Sequence, residues 1–229
     1  MEITWNNAAF RSNIEFLFGA KVRIQLGLCL ESVLSRFQHV AFHIDQITQL
    51  LAEAETCNSV DIIKAVLYGE ISGRPAEIRS NAEAHAIAAV QALHAISDSL
   101  GTLIALALRG DLGWKKYLRD VPTILNDDEL EVRRLLTLLQ DNDDYRYLDA
   151  LTNQSKHKHV VEVFIVFSLT PLSPSESRFT PFERKGITYP EKKIIPFLNA
   201  EYARQAKFVM PIMLELDRLV SSGCSDAAS

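Results

Sequence analysis

Between Ser32 and about Glu55, Val33, Phe37, Val40, Ile44, Ile47 and Leu51 recur at alternating spacings of four and three. That rhythm places them on one buried stripe of a helix. Ser35, Arg36, His39, His43 and Gln46 share a neighbouring polar face. Upstream, two periods compete. Val22, Ile24, Leu26, Leu28 and Leu30 alternate as a strand would, whereas Val22, Leu26, Cys29 and Val33 fit a helix. An early start to the same helix is the preferred reading. Residues 59–70 read as a short helix ahead of Gly73-Arg74-Pro75.

A second long helix is predicted from about Ala76 to Arg109, rich in Ala and Leu and so high in helix propensity. It carries two apolar or small faces. One is Ala86, Ala89, Leu93, Ile96, Leu100, Leu103 and Ala107; the other is Ile87, Val90, His94, Ser97, Gly101, Ile104 and Leu108. Such a helix is central, with neighbours on both sides. Gly110 and Gly113 supply its stop. After a connector with Trp114, Tyr117 and Pro122, Asn126 to Glu129 reads as a cap with an acid three residues on, opening a helix over about 127–140. Asp141 to Asp144 breaks that helix and caps another, about 143–158.

The period then changes to two. Val161, Val163, Ile165, Phe167 and Leu169 point one way; Val160, Glu162, Phe164, Val166 and Ser168 point the other. This β-branched and aromatic run is the best strand of the chain. A Pro/Ser loop at 171–175 follows. A second strand over 177–190 is limited by Pro181 to an edge, and Lys185-Gly186 reads as a turn. Ile195, Leu198, Tyr202, Ala206, Val209, Met213, Leu216 and Val220 form a last helical stripe, with Pro211 off it. The fold expected is mainly α: an up-and-down bundle of four long helices plus short ones, with a β-ribbon at about 159–190 before the last helix. Residues 1–220 read as one domain and 221–229 as a flexible tail.

Composition narrows the function classes. With 48% hydrophobic residues the chain buries a sizeable core, and 24 Lys+Arg against 29 Asp+Glu, net −5, excludes a globally basic nucleic-acid coat but not a local patch. Cys29, Cys57 and Cys224 are odd in number and widely spaced, as expected of thiols in a reducing cytoplasm. The N-terminus lacks a secretory pattern. The most apolar helical stretch, Leu100–Leu108, falls well short of the ~20 residues of a membrane span. A cytoplasmic protein with no membrane association is expected.

No phosphate-loop, dinucleotide or H-E-x-x-H motif is present, and Asp141, Asp143 and Asp144 lack the glycine and distal Glu of a calcium loop. His39 and His43, one turn apart, are two metal-capable imidazoles with no Glu on their face; catalytic zinc typically takes three protein ligands, so no metal or cofactor is expected. His94 and Asp98 are also one turn apart, either as a structural pair or as a catalytic dyad. His85 lies on the opposite side of that helix from His94, at about 180°.

The densest polar cluster is Asn153-Gln-Ser-Lys156-His157-Lys158-His159. Asn153 and His157 project together, and Arg146 falls within about 20° of their stripe at ~100° per residue. A guanidinium, an amide and an imidazole can hold a phosphate and move a proton near neutral pH. The same cations also suit the negative end of a helix dipole with no ligand at all.

A long helix carrying Gln91-Ala-Leu-His94-Ala-Ile-Ser-Asp98, an acidic helix start, then Leu148-x-x-x-x-Asn153-x-x-Lys156-His157 and a β-ribbon together resemble bacterial helical proteins of the HEPN (higher eukaryotes and prokaryotes nucleotide-binding) superfamily, over roughly residues 30–220. Members include metal-independent ribonucleases of toxin–antitoxin and phage-defence systems, which commonly dimerise. Their hallmark is an Arg, usually followed by a polar residue, with four to six residues intervening before a His. Counted back from His157, Ala150, Leu151 and Thr152 stand where that Arg belongs. His157 and Asn153 carry over. The resemblance implies a homodimer that binds RNA or a nucleotide. If the protein is catalytic, His157 is its general acid/base, with Asn153, Lys156, Lys158, His159 and Arg146 against the phosphates. The other reading of the same residues is a non-enzymatic interaction module.

Overall fold

The computed structural model describes residues 5–58, 60, 62–63, 73–114, 117–157, 161–167 and 174–228. Six helices are described: α1 (Asn7–Phe18), α2 (Ala20–Ala54), α3 (Arg74–Arg109), α4 (Leu130–Gln140), α5 (Asp143–His157) and α6 (Ile194–Ala228). Two 3-10 segments, Leu118–Ile124 and Asp127–Glu129, lie between α3 and α4. Five short strands precede α6: β1 (Val163–Val166), β2 (Glu176–Phe179), β3 (Phe182–Arg184), β4 (Ile187–Tyr189) and β5 (Lys192–Lys193). The chain is thus mainly helical with a small antiparallel ribbon ahead of the last long helix. Of the short helix expected at 59–70, Val60, Ile62 and Ile63 are helical and the rest lies outside the described residues.

Where one domain was expected, contacts divide the chain into two compact units: Met1–Phe37, Ala95–Asn142 and Ala203–Ser229 in the first, Gln38–His94 and Asp143–Tyr202 in the second. The first unit is an apolar helical core. Its opening helix α1, which carries no strong hydrophobic rhythm, is set by Asn6, whose Oδ1 accepts from the Ala9 amide at 3.1 Å. Phe10 and Ile14 are fully buried, together with Leu26, Leu103, Ile104, Val132, Leu136, Ile212 and Leu216. The ambiguous stretch after Ala20 is helix. Val22, Leu26, Cys29 and Leu30 are buried while Ile24 and Leu28 are exposed, so the period of 3.6 fits and the alternation does not. Gly101 explains itself here. A Cβ at that position would stand 3.1 Å from the Leu118 Cα, so the small residue admits a backbone against α3. Gly110, at φ +61°, ends the helix.

Arg109 closes this unit's polar interior. Its Nη1 donates to Glu129 Oε1 at 2.7 Å and its Nη2 to Oε2 at 2.5 Å, while Nε and Nη2 also reach the Ile124 carbonyl. Glu129 Oε2 in turn accepts the Asn126 amide at 2.7 Å, the reach-back the sequence anticipated, although the first turn is 3-10 and α4 starts only at Leu130. The expected tail is helical instead: α6 runs to Ala228. Asn13 Nδ2 donates to Ser221 Oγ at 3.2 Å and the Cys224 thiol lies 3.7 Å from the Asn13 carbonyl, contacts that favour continued helix over fraying.

In the second unit, α3 buries Ile78, Ala82, Ala86, Ala89, Val90 and Leu93, and α5 buries Tyr147, Leu148 and Leu151. β1 pairs antiparallel with β2, Val163 opposite Phe179, and β2 with β5. The single return strand expected over 177–190 is three short ones: β2 ends before Pro181, which cannot donate to a ladder, and β3 and β4 are parted by Lys185-Gly186. β3 and β4 form a hairpin whose turn residues, Lys185 at φ 53° and Gly186 at φ 75°, both take the positive angles of a type I′ turn. Phe182 and Tyr189 stack across it at 4.9 Å, and both rings meet Tyr147 edge-on.

Two further findings correct or refine the pattern. Along α6 the buried positions include Glu201 and Gln205, whereas Ala206 is exposed, so the middle of its inner face is polar and the expected apolar stripe breaks there. α3 is long and apolar enough to cross a membrane by length and composition, but 61% of its most apolar window is buried within the protein. Its apolarity is accounted for by the core it lines.

Candidate functional site

Helix α5 begins with two carboxylates and ends with cations. Asp143 and Asp144 occupy its first turn, Lys156 and His157 its last, each end complementing the helix dipole. Asp149, Asn153 and His157 succeed one another at one-turn spacing, drifting about 40° per step at ~100° per residue. They make a polar stripe beside the buried face of Leu148 and Leu151.

The stripe has a hub that the sequence did not single out. Asp149 Oδ1 lies 3.2 Å from His94 Nε2 and accepts from Asn153 Nδ2 at 2.9 Å; Arg184 Nη1, from β3, reaches its Oδ2 at 3.3 Å and its carbonyl at 3.4 Å. Asn153 Nδ2 also donates to the Asp149 carbonyl at 2.8 Å. Three elements therefore meet at one carboxylate: α3 through His94, α5 through Asp149 and Asn153, and the hairpin through Arg184. The hydrogen bond from His94, more than the charges of His94 and Arg184, holds the Asp149 carboxyl below the usual aspartate range against the opposing effect of burial. The Asp149 side chain is 42% exposed and that of Arg184 20%, so solvent reaches the ion pair.

Each sequence candidate now has a place. His157 and Lys156 are exposed on the last turn of α5. Asn153 is half-buried and turned toward Asp149, one turn from His157 as expected. Arg146 is exposed and bound to Asp143 at 2.8 Å. It shares the stripe but stands eleven residues, about 16 Å along the axis, from His157, too far for both to hold one phosphate. The arginine that joins Asn153 is Arg184. Lys158 and His159 lie outside the described residues. His94 finds its carboxylate on α5, at Asp149, while Asp98 lines a groove of the first unit with Gln25, Leu28, Cys29 and Ser32.

Around the hub, most ribbon cations are engaged. Lys192 pairs with Asp144 and stands over the Tyr147 and Phe197 rings at 4.6 and 5.0 Å; Arg178 pairs with Glu176 and Glu191; Lys193 pairs with Glu176. The Arg184 contacts, at 3.3 and 3.4 Å, are longer than the 2.7–2.9 Å typical of charge-assisted bonds. That guanidinium is the more readily exchanged donor.

Asp149 was missed because nothing in its neighbourhood announces a hub, though it lies one turn before Asn153 and so on the same stripe. Arg184 had no local signal at all: only the hairpin brings it to α5. Among the described residues, no group of three or more His, Cys, Asp or Glu side chains is placed so that it could hold a metal ion. The chain matches no protein-family model, no curated protein and no solved structure.

Proposed function

We propose that this chain is a cytoplasmic, HEPN-like protein that binds the phosphates of RNA or a nucleotide on the polar face of α5. The carrying observation is the convergence of Arg184, Asn153 and His94 on the half-exposed Asp149. Three donors already hold one internal anion there. A phosphate, with more charge and more acceptor oxygens, competes with the carboxylate for the loosely held guanidinium, while His94 and Asn153 keep Asp149 satisfied. Lys156 and His157 extend the cationic surface toward the end of the helix.

The geometry favours binding over cleavage. His94 spends Nε2 on Asp149 and its Nδ1 is enclosed, so it cannot serve a substrate as general acid/base. His157 is the imidazole of this stripe that solvent reaches. Fluorescence anisotropy with a labelled single-stranded RNA at low salt tests the reading. Saturable binding that weakens in Arg184→Ala and in a Lys156→Ala/His157→Ala double variant supports it; equal binding by all three proteins removes it. RNA cleavage in EDTA, lost in His157→Ala, would add a ribonuclease step to the binding role.

A second reading rests on the first unit. Ile24 and Leu28 are each 54% exposed and one turn apart on α2, and Leu28 lines the groove with Cys29 and Asp98. An apolar pair of this kind suits a homodimer contact. Sedimentation of wild type against Ile24→Asp/Leu28→Asp checks it: a dimer that becomes monomeric supports the contact, and a wild-type monomer rules it out.

A further inference from the structure

In the first unit, α2 carries a second stripe besides the one it buries. Val22, Leu26, Cys29 and Val33 are turned into the core. On the open side, Lys21, Ile24, Leu28 and Glu31 follow one another at spacings of three, four and three, the rhythm of a coiled-coil seam. At ~100° per residue they fall within about 80° of one another. All four are exposed, Ile24 and Leu28 at 54% each. The charges between Ala20 and Glu31 are Lys21, Arg23 and Glu31. Arg23 is engaged by Glu15 at 3.0 Å, whereas Lys21 and Glu31 have no ion-pair partner among the described residues.

This stripe is its own complement when a second copy lies against it head to tail. In an antiparallel pair whose two-fold axis is level with Leu26, positions equally far before and after that residue meet across the seam. Ile24 then meets the partner's Leu28, and Lys21 meets the partner's Glu31. The result is two apolar layers in the middle and an ion pair at each end. At the 8–10 Å separation usual for packed helices, Lys and Glu side chains reach across such a seam. A parallel pair would instead set Lys21 against Lys21 and Glu31 against Glu31, so like charges oppose that orientation. We propose that this stripe of α2 packs antiparallel on the same stripe of a second copy, with Ile24 on Leu28 and Lys21 beside Glu31. The proposal rests on Ile24 and Leu28 forming a homodimer contact, and it adds the direction of the contact and the charges that select it.

Sedimentation velocity of the full chain over a concentration series gives the dimer dissociation constant of each variant. Lys21→Glu alone, or Glu31→Lys alone, sets like charges face to face at both ends of the contact. Each should weaken the dimer roughly tenfold, as attraction turns to repulsion in two layers. The double exchange Lys21→Glu/Glu31→Lys rebuilds both pairs and should return the dimer to wild-type strength. An equimolar mixture of the two single variants should also dimerise, because each end of the mixed contact again joins opposite charges. Both positions are exposed, and circular dichroism checks that each variant keeps its fold. A wild-type monomer overturns this contact and the dimer reading together. A dimer that is lost in Ile24→Asp/Leu28→Asp but indifferent to both single reversals keeps that reading and overturns the antiparallel register. A double exchange no tighter than the single variants overturns the register as well.

Discussion

Each unit builds a polar junction from an arginine and a carboxylate, and the two are opposites in construction. In the first, Glu129 is gripped by both ends of the Arg109 guanidinium, its side chain is 5% exposed, and the arginine's other donors end on backbone carbonyls. In the second, Asp149 receives Arg184 at 3.3 Å, its side chain is 42% exposed, and two neutral-capable partners share the load. Enclosure makes the first pair costly to disturb and useless to a ligand. Exposure makes the second cheap to disturb and available for exchange. The same two functional groups give a brace in one place and, in the proposed function, a receptor in the other because solvent access differs.

The largest expected effect comes from breaking the brace. Glu129→Ala leaves a guanidinium without its anion and should cost about 3–5 kcal/mol in urea unfolding. Arg184→Ala should cost no more than about 1 kcal/mol in the same measurement. If the two losses are equal, the contrast in enclosure does not govern these pairs. The next effect is on binding: Arg184→Ala should weaken RNA affinity about tenfold, since a hydrogen bond to a charged group is worth about 1.5–3 kcal/mol. Lys156→Ala, by removing one phosphate contact, should lower the slope of log affinity against log salt by about one.

The smallest effect is in acid. The native Asp149 carboxyl titrates below its unfolded counterpart, so its contribution to stability is complete above the ordinary value of about 3.9 and is lost as pH falls through the lower native one. Asp149→Asn should therefore flatten the pH dependence of unfolding below about pH 4 and leave pH 5–8 unchanged. A variant whose curve below pH 4 matched that of the wild type would show that this carboxyl carries no acid-linked stability.

Long-period information was legible in the sequence, and long-range information was not. The stripe from Ala86 to Ala107 is buried as its spacing requires, and Lys185-Gly186 turns where its composition says it should. Helix α1 escaped because its stability comes from a cap and from Phe10 and Ile14 packing into a core made elsewhere. Glu201 and Gln205 are buried against the hydrophobic rule, a tertiary outcome that no local window contains. The site followed the same division: Asn153 and His157 were found by helical spacing, whereas Arg184, thirty-one residues from Asn153 in the chain, required the ribbon to fold back.

That dependence gives the two-residue connection between β2 and β3, Thr180-Pro181, a role beyond joining strands. It works as a gauge: side chains alternate faces along a strand, so one extra residue there would move β3 on by a single step and send Arg184 to the opposite side. The helices would stand unaltered and the carboxylate on α5 would face an empty quarter. Insertions at this connection are thus a way for evolution, or an engineer, to silence the proposed receptor without touching a single one of its residues.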